Sequence, residues 1–190
     1  MGQELPASYY DNIYSRQGSA YNTTPEGMRH YFPAWKSAYN HILKEGIKDV
    51  VDLGCGPGHF SRLFSRSDGI LYKGYDFSEV SIDIARRENN NPNVSFDVKD
   101  LSDYTPPNDV FYTSFEFFEH VSFDTELVSK LPAHSHIIFS VPNFDNAGHC
   151  RYFESKTDVT DRYACLLDLR LMLETKFGSQ VIYTYHGIRT

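Results

Sequence analysis

The apolar positions of the chain fall into short runs of strand type separated by stretches with helical spacing. After Pro33, the residues Trp35, Ala38, Tyr39, Ile42 and Leu43 recur at the helical period, and Gly46 stops the pattern. The run Asp49 to Leu53 then enters a turn rich in glycine, Gly54-Cys55-Gly56-Pro57-Gly58. Phe60, Leu63 and Phe64 predict a helix directly after it. Ile70 to Tyr75 reads as a second strand ending at Asp76, and Ser78 caps a helix carrying Val80, Ile82, Ile84 and Ala85. Val94 to Val98 is a third strand ending near Asp100, Asp109 to Thr113 a fourth, and His136 to Val141 a fifth, stopped by Pro142; a helix over 124–131 lies between the last two.

The pattern changes at the end. Leu167, Leu169, Leu171 and Leu173 alternate with Asp168, Arg170 and Met172, which is a period of two. Phe177-Gly178-Ser179 turns that strand back into Val181 to Ile188, an antiparallel hairpin. Strands alternating with helices and closed by a hairpin predict an α/β fold. The sheet is open and Rossmann-like, of about seven strands, mostly parallel with an antiparallel C-terminal hairpin. The expected organisation is one domain over residues 1–190. Residues 1–45 would be an N-terminal lid or cap ending in the first helix, and 47–190 the core. Residues 1–27 read as a loop with short helical pieces. Their tyrosines, Tyr9, Tyr10, Tyr14 and Tyr21, either fold over a ligand or pack the first helix on the sheet, with the lid the favoured reading.

Composition narrows the function classes. A net charge of −7 argues against a phosphate-binding surface, so nucleic acid is not the expected partner. Cys55, Cys150 and Cys165 have no metal-knuckle spacing, which suits a reducing cytoplasm. No apolar run approaches the roughly 20 residues that span a bilayer. Met1 to Tyr10 lacks the pattern of a signal peptide. The expectation is a cytoplasmic protein, monomer or homodimer, acting on a small molecule.

A glycine-rich turn between strand and helix lets a ligand approach the backbone closely. Asp52 precedes that turn. Asp76, at the end of the next strand, would sit beside it and can accept hydrogen bonds from two ribose hydroxyls. Asp100 could reach an adenine amino group. The segment Val50-Val51-Asp52-Leu53-Gly54-Cys55-Gly56-Pro57-Gly58 resembles motif I of the class I S-adenosylmethionine (SAM)-dependent methyltransferases. Tyr75-Asp76-Phe77-Ser78 resembles their acidic motif on the second strand, and Asp97 to Leu101 their adenine-contacting motif. The resemblance implies SAM as cofactor, with Gly54 and Gly56 along the methionine portion, Asp76 on the ribose, Phe77 on the adenine face, and Asp100 and Leu101 at its polar edge. Asp52 and Phe115 complete the expected cofactor site. A nicotinamide dinucleotide site is the competing reading of the turn, but Phe60 and Ser61 stand where its third glycine is expected.

Beyond the fourth strand stands Phe115-Glu116-Phe117-Phe118-Glu119-His120. If a helix begins here, Glu116, Glu119 and His120 face one way, and two carboxylates with an imidazole suit Mg²⁺ or Mn²⁺. The Glu-x-x-Glu-His pattern resembles the ubiquinone-biosynthesis O-methyltransferases and the small-RNA 3′-terminal 2′-O-methyltransferases. The second resemblance implies a divalent ion held by Glu116, Glu119 and His120 with a downstream histidine, for which His149 is the candidate. The competing reading has no metal. His120 is then a general base or a helix cap, and Glu116 and Glu119 orient the acceptor. Arg151 and Tyr152 either touch substrate or form an ion pair and core packing.

The expected function is methyl transfer from SAM to a small acceptor, foremost a hydroxyl oxygen, with His120, Glu119 and Glu116 as catalytic candidates. Three alternatives stand beside it: a metal-free N-methyltransferase, an RNA 3′-end 2′-O-methyltransferase, and a SAM-binding accessory protein without catalysis.

Overall fold

The computed structural model describes residues 2–16 and 23–190; Tyr21 lies outside them. Five helices, α1 (Ala7–Ser15), α2 (Phe32–Lys44), α3 (Glu79–Glu88), α4 (Asp124–Lys130) and α5 (Lys156–Tyr163), flank one sheet. Its strands are β1 (Asp49–Leu53), β2 (Leu71–Asp76), β3 (Val94–Val98), β4 (Phe111–Phe115), β5 (His136–Pro142), β6 (Leu167–Phe177) and β7 (Gln180–Arg189), in the order β3-β2-β1-β4-β5-β7-β6. The first five run parallel and β7 pairs antiparallel with both β5 and β6. The expected fold class therefore holds, hairpin included.

The central parallel strands β1, β4 and β5 are buried on both faces, so β4 and β5 show little alternation, whereas edge strand β3 buries only Phe96. On one face Tyr112, Phe139, Val141 and Tyr185 pack with residues of α4 and α5, among them Leu127, Val159 and Tyr163. On the other, Val50, Tyr72, Phe111 and Ile138 pack with Trp35, Ala38 and Ile42 of α2 and with Ile82 and Ala85 of α3. No helix among the described residues is long and apolar enough to cross a membrane.

Two expectations need correction, and one helix is added. The segment after the glycine turn forms only a 3₁₀ turn, Phe60–Leu63, rather than a helix. Local side-chain bonds compete with helix there. Ser61 Oγ donates to the Gly58 carbonyl, and Ser65 with Asp68 builds a capping box for a second 3₁₀ turn ending at left-handed Gly69. The fourth strand starts at Phe111 because Asp109 takes a left-handed φ of 60° and belongs to the preceding turn. Helix α5 is an addition. It is opened by a capping box between Ser155 and Asp158, a signal present in the sequence.

Candidate active site

Parallel strands deliver their C-terminal ends to one edge of the sheet, and the loops there enclose two adjoining cavities. The first, about 280 Å³, lies over the glycine turn and reaches Glu116, Glu119, His120 and His149. The second, about 600 Å³, lies beyond Phe77 and Phe117 and is walled by Lys99, Asp100, Leu101 and Ser102. Asp76, Phe77 and Phe117 border both. All eight expected cofactor residues lie here. Asp52, Gly54, Gly56 and Phe115 line the first cavity, Asp100 and Leu101 the second, and Asp76 and Phe77 both.

Gly54 has a φ of +74°, and a Cβ there would lie 2.3 Å from the Phe117 ring. Only glycine lets the two approach so closely. Asp76 binds this turn to its own strand: its carboxylate accepts from Gly56 N at 3.0 Å and from Ser78 N at 2.9 Å. Burial raises the pKa of Asp76, and these two N–H groups oppose the rise. Asp52 differs. Its oxygens already accept from the Tyr72 hydroxyl and from Thr113 Oγ1, the latter at 2.7 Å, so it ties β1 to β2 and β4. Burial pushes Asp52 up to about 7 against those hydrogen bonds.

After β4 the chain does not begin a helix. Glu116 takes a left-handed φ of 50° and residues 118–120 form a turn, so the helical spacing expected for Glu116, Glu119 and His120 is not realised. Glu116 instead accepts from Ser140 Oγ at 2.7 Å. The ligand atoms of Glu119, His120 and His149 come within 4.8 Å of one another. Three of the four expected metal-site residues thus converge, with Glu116 beside them.

The state of these three groups is defined by their neighbours. Glu119 is 0 % exposed, and neither carboxylate oxygen has a hydrogen-bond partner. Burial, then the charge of Glu116, lifts the Glu119 pKa well above the usual carboxylate range. His120 Nδ1 lies 3.0 Å from the Gly148 carbonyl and 3.0 Å from the Tyr10 hydroxyl. A carbonyl only accepts, so Nδ1 carries the hydrogen and Nε2 keeps its lone pair, 3.9 Å from Glu119 Oε1. His149 Nδ1 donates to the Phe144 carbonyl at 3.2 Å, which frees its Nε2 in the same way. Burial and then the neighbouring His149 hold His120 down at about 4, and burial lowers His149 too, so both rings are neutral near pH 7. Two neutral imidazoles, each anchored to a carbonyl through Nδ1, and a carboxyl group without a hydrogen-bond partner are donors of the kind that could hold a cation.

The sequence favours a lid over a ligand for residues 1–27, but the bonds that hold that segment are not legible in it. Helix α1 and the residues just before it lie across the site: Tyr10 meets His120, Asp11 Oδ1 accepts from Ser78 Oγ at 2.6 Å, and Glu4, ahead of the helix, accepts from Ser122 N and Oγ. Tyr9 and Tyr14 join the first cavity's wall. Phe117 was also missed. Arg151, expected either at substrate or in an ion pair, lies outside both cavity walls and bonds the protein instead; Tyr152 is 42 % exposed, whereas Phe153 is buried.

Residues 50–132 match a family model described as a methyltransferase domain. The chain is 35% identical over 105 residues to a trans-aconitate 2-methyltransferase of Mycolicibacterium gilvum, a match covering 53% of this chain and 40% of that protein. It thus spans less than half the length of this curated relative. Among solved structures, the magnesium protoporphyrin IX methyltransferase of Synechocystis PCC 6803 with bound SAM superposes with a TM-score of 0.68 at 14% identity, covering 100% of both chains. The N-methyltransferase NodS of Bradyrhizobium japonicum, in complex with S-adenosylhomocysteine, superposes with a TM-score of 0.68 at 12% identity, covering 96% of this chain and 97% of that one. At these identities the structural matches speak to the fold.

Proposed function

We propose that the chain carries a class I SAM-dependent methyltransferase domain and transfers the methyl group of SAM to a hydroxyl oxygen of a small acceptor held at a divalent ion. The observation that carries this reading is the Glu119 carboxylate, fully buried and without a hydrogen-bond partner, with a ligand atom of each of His120 and His149 within 4.8 Å of it and of one another. An isolated buried carboxylate is costly unless a cation or a proton neutralises it. The donor set of one carboxylate and two imidazoles favours Mn²⁺ over Mg²⁺, which prefers oxygen ligands.

The cofactor would span both cavities, with its amino-acid portion over Gly54 and Gly56, its ribose at Asp76 and its adenine between Phe77 and Leu101. Bound SAM supplies an electrophilic methyl carbon. A bound ion would supply a lower pKa for the acceptor hydroxyl. The chain's own residues do the rest. Glu119, His120 and His149 would hold the ion, and Phe115 and Phe117 would wall the space between acceptor and cofactor, keeping water out. In the displacement, the acceptor oxygen forms a bond to the methyl carbon as the carbon–sulfur bond breaks, and the hydroxyl proton leaves. Glu116 is placed to receive that proton, because burial raises its carboxyl to about 7 while Ser140 orients it. Helix α1 acts as the lid, with Tyr10 fastened to His120.

Transfer of tritium from methyl-labelled SAM to a panel of catechols, vicinal diols and amines, with Mn²⁺ or with EDTA, tests the reading. Transfer to hydroxyl acceptors that EDTA removes and Mn²⁺ restores is the expected result. Transfer to amines that is indifferent to EDTA would replace it with the metal-free alternative.

A further inference from the structure

The turn Phe118–Val121 presents Glu119 and His120, and each of its four carbonyl groups is bound by the same two residues. Arg151 Nη1 donates to the Phe118 carbonyl and, at 2.6 Å, to the Val121 carbonyl. The Glu119 carbonyl accepts from Cys150 N at 2.6 Å and from Arg151 N at 3.3 Å. The His120 carbonyl accepts from Cys150 Sγ at 3.2 Å. The residue just before this pair is His149, the third member of the convergent group.

The arginine is itself anchored. Its Nη1 lies 3.2 Å from Asp124 Oδ1, with Arg151 15% and Asp124 0% exposed. Asp124 also accepts from Arg162 Nε and Nη2 and from the Tyr163 hydroxyl, each at 2.7 Å. The two N–H groups of Nη1 serve the two carbonyls while Asp124 pairs with the guanidinium charge, a planar arrangement that an ammonium on a flexible stem does not reproduce.

We propose that Arg151 is a positioning residue. With Cys150 it clasps the Phe118–Val121 turn, and so fixes the spacing of Glu119 and His120 from His149. Arg151 would act on the chemistry only through those three side chains. The consequence for ion binding rests on the proposed function above; the clasp itself does not.

The test compares the full chain with Arg151→Met and Arg151→Lys. Three readouts are followed: Mn²⁺ binding by electron paramagnetic resonance, S-adenosylhomocysteine binding by calorimetry, and amide hydrogen exchange. Loss of a group that orients metal ligands typically weakens the metal about 10- to 100-fold. The expected result is a loss of that size in Arg151→Met, with S-adenosylhomocysteine affinity unchanged. Exchange should quicken at Cys150 and Arg151, whose N–H groups donate to the Glu119 carbonyl. Arg151→Lys should fall between, and it serves alone if the Met variant does not fold. Wild-type exchange and Mn²⁺ affinity in both variants would overturn the clasp, as would an equal loss of S-adenosylhomocysteine binding, which marks a general structural role. If the wild-type chain binds no Mn²⁺, the metal reading fails by itself, and the exchange pattern at 150–151 still decides for or against the clasp.

Discussion

Two groups of histidines sit at opposite ends of the same sheet, and they differ in what surrounds their nitrogens. His120 and His149 lie beyond the C-terminal ends of β4 and β5, with ring centroids 4.7 Å apart. His41, His136 and His186 lie where β5 begins: His136 Nδ1 and His186 Nε2 are 3.0 Å apart, and the His41 and His186 rings are 4.9 Å apart. In the first group both Nδ1 atoms are bound to carbonyls, and His120 Nε2 lies 3.9 Å from a buried carboxylate oxygen of Glu119. In the second, one imidazole nitrogen donates to another and the rings stack around Phe111, with the Glu45 carboxylate acting on His41 and His186 only through its charge. Proximity of imidazoles is therefore a weak sign of a cation site. What sets the first group apart is a fully buried carboxyl group without a hydrogen-bond partner beside imidazoles anchored to carbonyls.

The largest effect that separates the two groups is on ion binding. Glu119→Gln or His149→Ala should weaken Mn²⁺ by about 100-fold or more, whereas His136→Gln should leave it unchanged; calorimetry on the folded variants decides. An equal loss in His136→Gln would erase the distinction.

Next in size is the glycine turn proposed to hold the cofactor. Gly54→Val places a Cβ against Phe117 in a left-handed backbone, where an L residue costs about 1–2 kcal/mol before the clash is counted. Loss of S-adenosylhomocysteine binding together with a lowered melting temperature is the expected outcome. Unchanged binding would remove Gly54 from the cofactor site.

The third contrast is in pH. Burial, then His41 and His136, then Arg170, hold His186 down at about 4, with Glu45 opposing; burial lowers His41, with Glu45 and Lys44 beside it acting in opposite directions. Between about 4 and the ordinary histidine value near 6.5, the unfolded chain binds protons that the folded His186 refuses. Stability from this group is thus present above that window and lost as pH falls through it. His186→Gln should flatten the acid limb of the melting-temperature profile over this window without altering Mn²⁺ affinity. An unchanged acid limb would show that this cluster does not limit acid stability.

The smallest effect concerns the lid. Tyr10→Phe removes one hydrogen bond to His120, worth about 1 kcal/mol. Faster amide exchange confined to α1 is the expected sign, and exchange identical to wild type would show that Tyr10 does not fasten the helix.

Legibility in the sequence follows the range of the interactions. The glycine turn, the acidic strand ends and the hairpin were readable because each is a contiguous segment whose local chemistry dictates its shape. Glu116 was misplaced because a left-handed φ at a non-glycine residue is imposed by its surroundings, here the Ser140 contacts from β5. The bond from Tyr10 to His120 spans 110 positions, and the clasp by Arg151 joins turns some 30 positions apart. Neither leaves a periodic trace along the chain. Helix α5 is the opposite case: its Ser155–Asp158 box was in plain view, but its short apolar face was too sparse to frame a helix.

The central claim is that a divalent ion sits between Glu119, His120 and His149. Calorimetric titration of Mn²⁺ into the chain saturated with S-adenosylhomocysteine, beside the Glu119→Gln variant, tests it most directly. The account predicts a saturable heat of binding near one ion per chain that disappears in the variant. No heat in the wild-type chain, or the same heat in both, would contradict it.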